Sequence, residues 1–260
     1  VNKLIKDHRI KAVSFVGSTP VAKNIYETAA TSGKRCQALG GAKNHALILP
    51  DADIDYTTDQ LISAAYGSSG QRCMALSVAV VFSDIKDEFI QDLERKVQKL
   101  KFGLDDLHSN SFGPLVSKEH LESVKNYIEM SEGEGARVLV DGRDFLKRKN
   151  SNNGYFLGPT IIDNVSSNMK SYQNEIFGPV LQIIEVNKLS DAIKLINNNR
   201  FGNGCCIFTR NGEQARTFSE NVEIGMVGVN IPLPVPTSFH SFGGWKNSLF
   251  GDLNIYGPDL

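Results

Sequence analysis

Cys73 stands in the run Gly70-Gln71-Arg72-Cys73-Met74-Ala75, just beyond an apolar stretch, Leu61 to Gly70, that is punctuated by Gly and Ser. A guanidinium is its immediate neighbour, and nearby glycine lets backbone amides approach a ligand. These are the surroundings of a nucleophilic thiol rather than of an inert, packed one. The chemistry they suit is attack of a thiolate on a carbonyl carbon. Arg72 could pair bidentately with a substrate carboxylate while the carbonyl lies over Cys73. Phe239 and Phe242, which follow prolines at 232, 234 and 236, suit either the apolar wall of a carbonyl pocket or plain core. Packing is the competing reading for Cys73, because free cysteine is among the most buried residue types, and it is the preferred one for Cys36, Cys205 and Cys206.

Composition narrows the partners. Lys plus Arg number 28 against 29 Asp plus Glu, a formal net charge of -1, so the chain lacks the basic surplus that nucleic acid or an anionic membrane attracts. A small-molecule substrate is expected instead. No apolar run approaches the ~20 residues that span a bilayer. The four cysteines form no Cys-x-x-Cys pair and the five histidines no His-x-x-x-His ladder, so neither a disulfide frame nor a metal site is expected, and a reducing compartment fits. With 260 residues and 41% hydrophobic content, the chain suffices for one large domain or two small ones. It opens Val1-Asn2-Lys3-Leu4, with neither an initiator Met nor a signal-peptide core, and reads as an excised piece. The expected compartment is the cytoplasm if the source is bacterial, or the mitochondrial matrix if it is eukaryotic.

The elements that must position these residues alternate strand and helix. Lys11 to Val16 predicts a strand, Gly17 and Ser18 a turn, and Thr19-Pro20 the N-cap and first position of a helix reaching Ser32, with Gly33 ending it. A strand at Arg35 to Leu39 completes a unit of the kind that builds parallel sheets and binds ligands at strand C-termini. The Ser18 turn could hold a phosphate on its N–H groups or be only a turn. Further strands are predicted at His45 to Leu49, Ser77 to Phe82, Arg137 to Val140, Thr160 to Val165, Val180 to Val186, Cys205 to Thr209 and Met226 to Val229. Helices are predicted from about Asp51 to Ser68, Asp84 to Leu100, Ser117 to Met130, Ser190 to Asn198 and Gly212 to Asn221. Ile85, Phe89, Leu93, Val97 and Leu100 share one helical face and read as core. The polar stretch Asp144 to Gly154 reads as an exposed loop, and Phe239 to Gly251 as a rigid loop that lines the site.

Five stretches together resemble the aldehyde dehydrogenase superfamily: Phe15-Val16-Gly17-Ser18-Thr19, Leu39-Gly40-Gly41, Gly70-Gln71-Arg72-Cys73, Glu175-Ile176-Phe177-Gly178-Pro179 and Phe242-Gly243-Gly244. Gly41-Ala42-Lys43-Asn44-His45, the run Gly70 to Leu76 and Asn230 to Pro236 are similar to the branch that acts on methylmalonate semialdehyde and acylates coenzyme A. The fold implied is α/β, a thiol-bearing catalytic domain with a parallel sheet and crossover helices plus a partial Rossmann-type remnant. Residues 1–40 would be the remnant of the NAD-binding domain, 41–245 the catalytic domain, and 246–260 a return segment ending before the oligomerisation strand. The resemblance implies Cys73 as nucleophile, NAD as cofactor and coenzyme A as co-substrate, with no metal. It also implies Ser18 and Gly40 as cofactor contacts beside Gly17, Glu175 as a ligand of the nicotinamide-side ribose, and Leu39, Phe177 and Val21 as further cofactor neighbours. The whole protein would be a homo-oligomer, dimer or tetramer, of roughly twice this length, with an upstream oxyanion Asn and a ribose-binding Lys. Glu175 could otherwise be a surface charge.

One position departs from the hydrolytic members of that superfamily, which carry a glutamate just before Leu-Gly-Gly, where this chain has Ala38. General base catalysis contributes ~100- to 10,000-fold, so water becomes a poor acceptor for a thioester while a free thiol, partly ionised near neutral pH, suffers less. The expected reaction is therefore acyl transfer to coenzyme A, with the isolated segment inactive. The alternatives are a hydrolytic enzyme that recruits another base, and a non-catalytic folding or assembly fragment.

Overall fold

A computed structural model of the chain describes residues 1–101, 113–144 and 154–258. In chain order the elements begin with α1 (Asn2–Lys6), β1 (Ala12–Val16), α2 (Thr19–Thr31), β2 (Arg35–Leu39), β3 (Asn44–Ile48), α3 (Ile54–Tyr66), β4 (Leu76–Phe82) and α4 (Lys86–Val97). They continue with α5 (Lys118–Gly133), β5 (Arg137–Val140), β6 (Thr160–Asp163), α6 (Lys170–Gln173), β7 (Val180–Val186) and α7 (Leu189–Asn198). The last are β8 (Phe201–Gly202), β9 (Gly204–Phe208), α8 (Gly212–Asn221), β10 (Met226–Val229), β11 (Trp245–Lys246) and β12 (Leu249–Phe250).

Seven described strands form the main sheet in the order β10-β9-β3-β4-β7-β6-β5, parallel throughout except for the antiparallel edge strand β5. Its centre is apolar on both faces because helices cover both, as parallel crossovers require. Leu47, Val78, Val80, Cys205 and Ile207 pack into one core, while Ala46, Ile48, Ala79, Val81, Cys206 and Phe208 pack into the other. The period of two thus sends neighbouring Cys205 and Cys206 to opposite faces, both buried and unbridged. Phe89, Leu93 and Val97 of α4 are fully buried, with Ile90 added and Ile85 and Leu100 partly covered.

A smaller sheet has the order β1-β2-β12, with β1 and β2 parallel and β12 antiparallel to β2. Helix α2 starts one residue earlier than expected. Ser18, in extended backbone, is its N-cap position, and the Thr19 hydroxyl is occupied by a tertiary bond described below. Gly33 ends it with a φ of 64°, a left-handed conformation that glycine adopts without strain. The expected rigid loop Phe239 to Gly251 contains β11 and β12, which pair with β8 and β2, so this segment ties the tail to both parts of the molecule. The short elements α1, α6, β8, β11 and β12 span too few residues to give a periodic signal. Of the expected exposed loop, residues 145–153 lie outside the described residues.

Candidate active site

Helix α3 is capped by Asp53, whose side chain accepts from the Tyr56 N–H, and it ends at Tyr66 because the backbone turns left-handed. Ser68 and Ser69 have φ of 54° and 56°, and Gly70 follows at 68°. Glycine is required at position 70, where a Cβ would sit 2.2 Å from the Gly178 carbonyl oxygen. That close approach brings the loop before Cys73 against the segment Glu175 to Pro179. Side-chain bonds fix the same loop from the other side. The Ser69 hydroxyl donates to the Gly113 carbonyl (2.5 Å), and Gln71 Oε1 accepts from the Val116 N–H (2.9 Å).

Cys73 is exposed, in contrast to Cys36, Cys205 and Cys206, which are buried as expected. It shares a cleft with Ala42, Asn44, Arg72, Glu175 and Phe177. Partial burial of the sulfur raises its pKa above the ordinary thiol value. The backbone N–H groups of Cys73 and Met74 pull it down, and Glu175 and Arg72 act weakly in opposite senses. Its carbonyl oxygen accepts from two side-chain amides, Asn44 Nδ2 at 2.8 Å and Asn203 Nδ2 at 3.1 Å.

The glycine-rich side of the junction is built from β1 and β2. At their C-terminal ends the Gly17 N–H donates to the Leu39 carbonyl (3.1 Å), the Gly40 N–H to the Ser248 carbonyl (3.1 Å) and the Gly41 N–H to the Thr19 hydroxyl (2.9 Å). Glu175 Oε1 accepts from the Ala42 N–H at 2.9 Å, so this carboxylate joins the glycine turn to the cleft. Burial raises the Glu175 carboxyl above its ordinary range, against the Ala42 bond and the Lys43 charge. Lys43 is itself fully enclosed and donates to the carbonyls of Ser171 (2.7 Å) and Asn174 (3.0 Å). Burial pushes its ammonium down to about 7, opposed by Glu175.

The structure therefore brings Gly17, Gly40, Glu175, Phe177, Arg72 and Cys73 around one junction. Ser18 and Val21 lie exposed on the start of α2, without a side-chain cap bond at Ser18. Leu39 faces inward, clustered with Met74, Met226 and Phe242, so that only its backbone is turned to the glycine turn. Phe177 has a φ of 57°, and its carbonyl accepts from His120 Nε2 at 2.7 Å. Arg72 Nη2 donates to the carbonyls of Ser63 (2.8 Å) and Ala64 (3.0 Å) at the end of α3, while its Nε–H is buried without an acceptor. Neither Phe239 nor Phe242 lines the cleft: Phe242 is buried beside Tyr256, and Phe239 is 70% exposed next to His240. Sequence reasoning missed Thr19, Lys43, Asn44 and Asn203. Thr19, Lys43 and Asn44 stand in motifs that carry the resemblance but were given no role at the site, and Lys43 left a further trace as a charge adjoining an uninterrupted buried strand.

Among the described residues no group of His, Cys, Asp and Glu could hold a metal ion, and no helix is long and apolar enough to cross a membrane.

Residues 1–257 match the model of the aldehyde dehydrogenase family. A malonate-semialdehyde dehydrogenase of Pseudomonas aeruginosa is 51% identical over 260 residues, 100% of this chain and 52% of that protein. The crystal structure of a methylmalonate-semialdehyde dehydrogenase from Oceanimonas doudoroffii superposes with a TM-score of 0.95 at 57% identity, over 98% of this chain and 52% of that one. A betaine aldehyde dehydrogenase from Staphylococcus aureus in complex with NAD+ gives a TM-score of 0.90 at 30% identity, over 100% of this chain and 51% of that one. The chain thus spans about half the length of the relatives it matches.

Proposed function

The chain belongs to the aldehyde dehydrogenase family, and from that premise we propose that it carries the nucleophile and part of the cofactor site of an NAD-dependent, coenzyme A-acylating oxidation of malonate or methylmalonate semialdehyde. The observation that carries this reading is the cleft in which an accessible thiol, Cys73, and a carboxylate, Glu175, meet beside a glycine turn. Residues 1–40 are read as the cofactor-domain part and 41–245 as the thiol-bearing part, with 246–260 returning to the former.

The residues present suit NAD. The turn at Gly17 and Ser18 opens a helix whose N-terminal dipole favours a pyrophosphate, Gly41 lets the Glu175 carboxylate pack against the turn, and Glu175 offers acceptors to ribose hydroxyls. When bound, NAD supplies a nicotinamide that accepts hydride from the aldehyde carbon.

The Cys73 thiolate adds to that carbon, forming a C–S bond and a tetrahedral oxyanion, and once hydride has left, the acyl group remains on the sulfur as a thioester. Arg72 lines the cleft, but its Nη2 is committed to the Ser63 and Ala64 carbonyls and its Nε is buried, so the semialdehyde substrate class rests on the named relatives rather than on this guanidinium. The thiolate of coenzyme A then attacks the thioester carbonyl and expels the Cys73 thiolate. An acetyl or propionyl product is one carbon shorter than the semialdehyde, so the bond from the α-carbon to the carboxylate breaks, carbon dioxide leaves, the electron pair passes into a thioester enolate, and the α-carbon takes up a proton that balances the one released by the coenzyme A thiol.

Ala38 favours this acceptor over water. It is fully buried against Ile5, Ile25, Ala29 and Cys36 and provides no base. A second reading, hydrolysis with Glu175 as the base, is favoured by one observation, that its carboxyl lies in the Cys73 cleft with a raised pKa. Steady-state NADH formation by the whole protein separates the two. Dependence on added coenzyme A is expected, and sustained turnover without it would establish hydrolysis instead. The 260-residue chain by itself is expected to form no NADH.

A further inference from the structure

We infer that Asn44 and Asn203 are positioning residues for the nucleophile, holding the Cys73 carbonyl oxygen so that the Met74 N–H of the same peptide plane faces the Cys73 sulfur. The inference deepens the proposed function and rests on Cys73 being the nucleophile.

The two amides converge on one atom. Asn44 Nδ2 lies 2.8 Å and Asn203 Nδ2 3.1 Å from the Cys73 oxygen. A trans peptide is planar with its C=O and N–H antiparallel, so pinning the oxygen aims the hydrogen on the far side. Two donors on one carbonyl also polarise the peptide, which strengthens the bond its N–H makes in turn. That N–H belongs to Met74, one of the two backbone groups that favour the ionised Cys73 sulfur.

Both asparagines have firm seats. Asn44 opens β3 and Asn203 immediately precedes β9, neighbouring strands buried along their whole length. Asn44 Oδ1 accepts from the Gly204 N–H at 3.0 Å, and its Nδ2 also reaches the Ala75 carbonyl at 3.0 Å. Asn203 Nδ2 lies 3.0 Å from the Met74 sulfur, fixing that side chain as well. The Asn44 side chain is thus tied to the start of β9, and the two amides together hold Cys73, Met74 and Ala75, an arrangement that loop backbone alone could not hold. A purely structural role would satisfy a buried carbonyl and leave the acidity of the thiol untouched.

The experiment follows alkylation of Cys73 by iodoacetamide as a function of pH in the whole protein, with Cys36 as internal reference and modified peptides identified by mass spectrometry. Asn203→Leu is nearly isosteric and uncharged and removes the donor. Its midpoint is expected to rise by about one pH unit, slowing alkylation near neutral pH about tenfold with the alkaline plateau unchanged. An unchanged midpoint, with or without a lower plateau, would overturn the inference. If Asn203→Leu lacks a cooperative melt, Asn203→Ser and Asn44→Ser decide the matter by the same midpoint. A wild-type Cys73 no more reactive than Cys36 would defeat the nucleophile reading itself.

Discussion

The two sheets meet at the candidate site by opposite ends and contribute different materials. The small sheet presents the C-terminal ends of β1 and β2, where Gly17, Gly40 and Gly41 spend their N–H groups on the Leu39 and Ser248 carbonyls and the Thr19 hydroxyl and so hold a tight turn beside the start of α2. The large sheet presents the N-terminal ends of β3, β4 and β9, where Asn44, Cys73 and Asn203 offer side chains, and Glu175 comes from the segment before β7. A ligand phosphate is bound by groups that any residue possesses, so that side needs conformational freedom and little chemistry. A thiol must be aimed and its acidity tuned, so that side draws on the most rigid strands of the fold. Of the two sheets, only the small one turns its strand C-termini, the expected place for a ligand, toward the candidate site.

The sharpest way to break this division is at the sulfur. Cys73→Ser in the whole protein is expected to lower dehydrogenase activity by about 1,000-fold or more, because the covalent intermediate is lost while the cofactor side is intact. Cofactor binding, followed by quenching of protein fluorescence, should stay near wild type, and a parallel loss would show that the two sides are not separable. Glu175 belongs to both. Glu175→Gln is expected to raise the KM for NAD by about 10- to 100-fold, the scale of a hydrogen bond to a charged group, with coenzyme A dependence retained. A fall in kcat confined to coenzyme A-free turnover would assign it to hydrolysis.

Glycine at the junction can be tested through its missing Cβ. In Gly41→Ala that atom would sit 2.6 Å from Glu175 Oε2 and 3.1 Å from Thr19 Oγ1, displacing the carboxylate. The expected cost is about 1–3 kcal/mol in chemical denaturation, with weaker cofactor binding. Lys43 gives a smaller effect with a definite sign. Its folded value of about 7 lies below the ordinary 10.5, so between them the unfolded chain binds a proton that the folded chain lacks. Lys43 therefore makes stability rise with pH across that window, by up to about 1.4 kcal/mol per unit, and Lys43→Met should flatten the urea-derived stability profile. The charge of Glu175 already opposes the shift within that value, so the Glu175→Gln variant should lower it further and widen the window. Phe239→Ala is expected to change stability by less than about 0.5 kcal/mol, as for an exposed side chain, and a larger loss of activity would place its ring near substrate.

Legibility divided along the same line. The strands and helices with a full period were readable, and so was Cys73, whose neighbours of unusual type for a core cysteine distinguish it from the other three. Asn44 and Asn203 were not, because an asparagine beside a strand has the same local appearance whether it faces water or a carbonyl 29 or 130 residues away in the chain. Thr19 was read as a cap because Ser and Thr before Pro usually serve that role, whereas its hydroxyl meets Gly41, a partner no local pattern reveals.

Residue chemistry and local spacing determined the alternating α/β order and singled out Cys73 as the thiol expected to attack, while the resemblance carried by the motifs supplied the family and the significance of alanine at position 38. Which partners surround that thiol was decided by packing. Only the folded chain places the ends of β1 and β2 against those of β3, β4 and β9, buries Lys43 beneath Glu175 and turns Arg72 back onto α3. The physical reason is range: periodicity and caps act over a few residues, whereas burial, hydrogen-bond partners and the acidity they set arise from contacts between segments far apart in sequence.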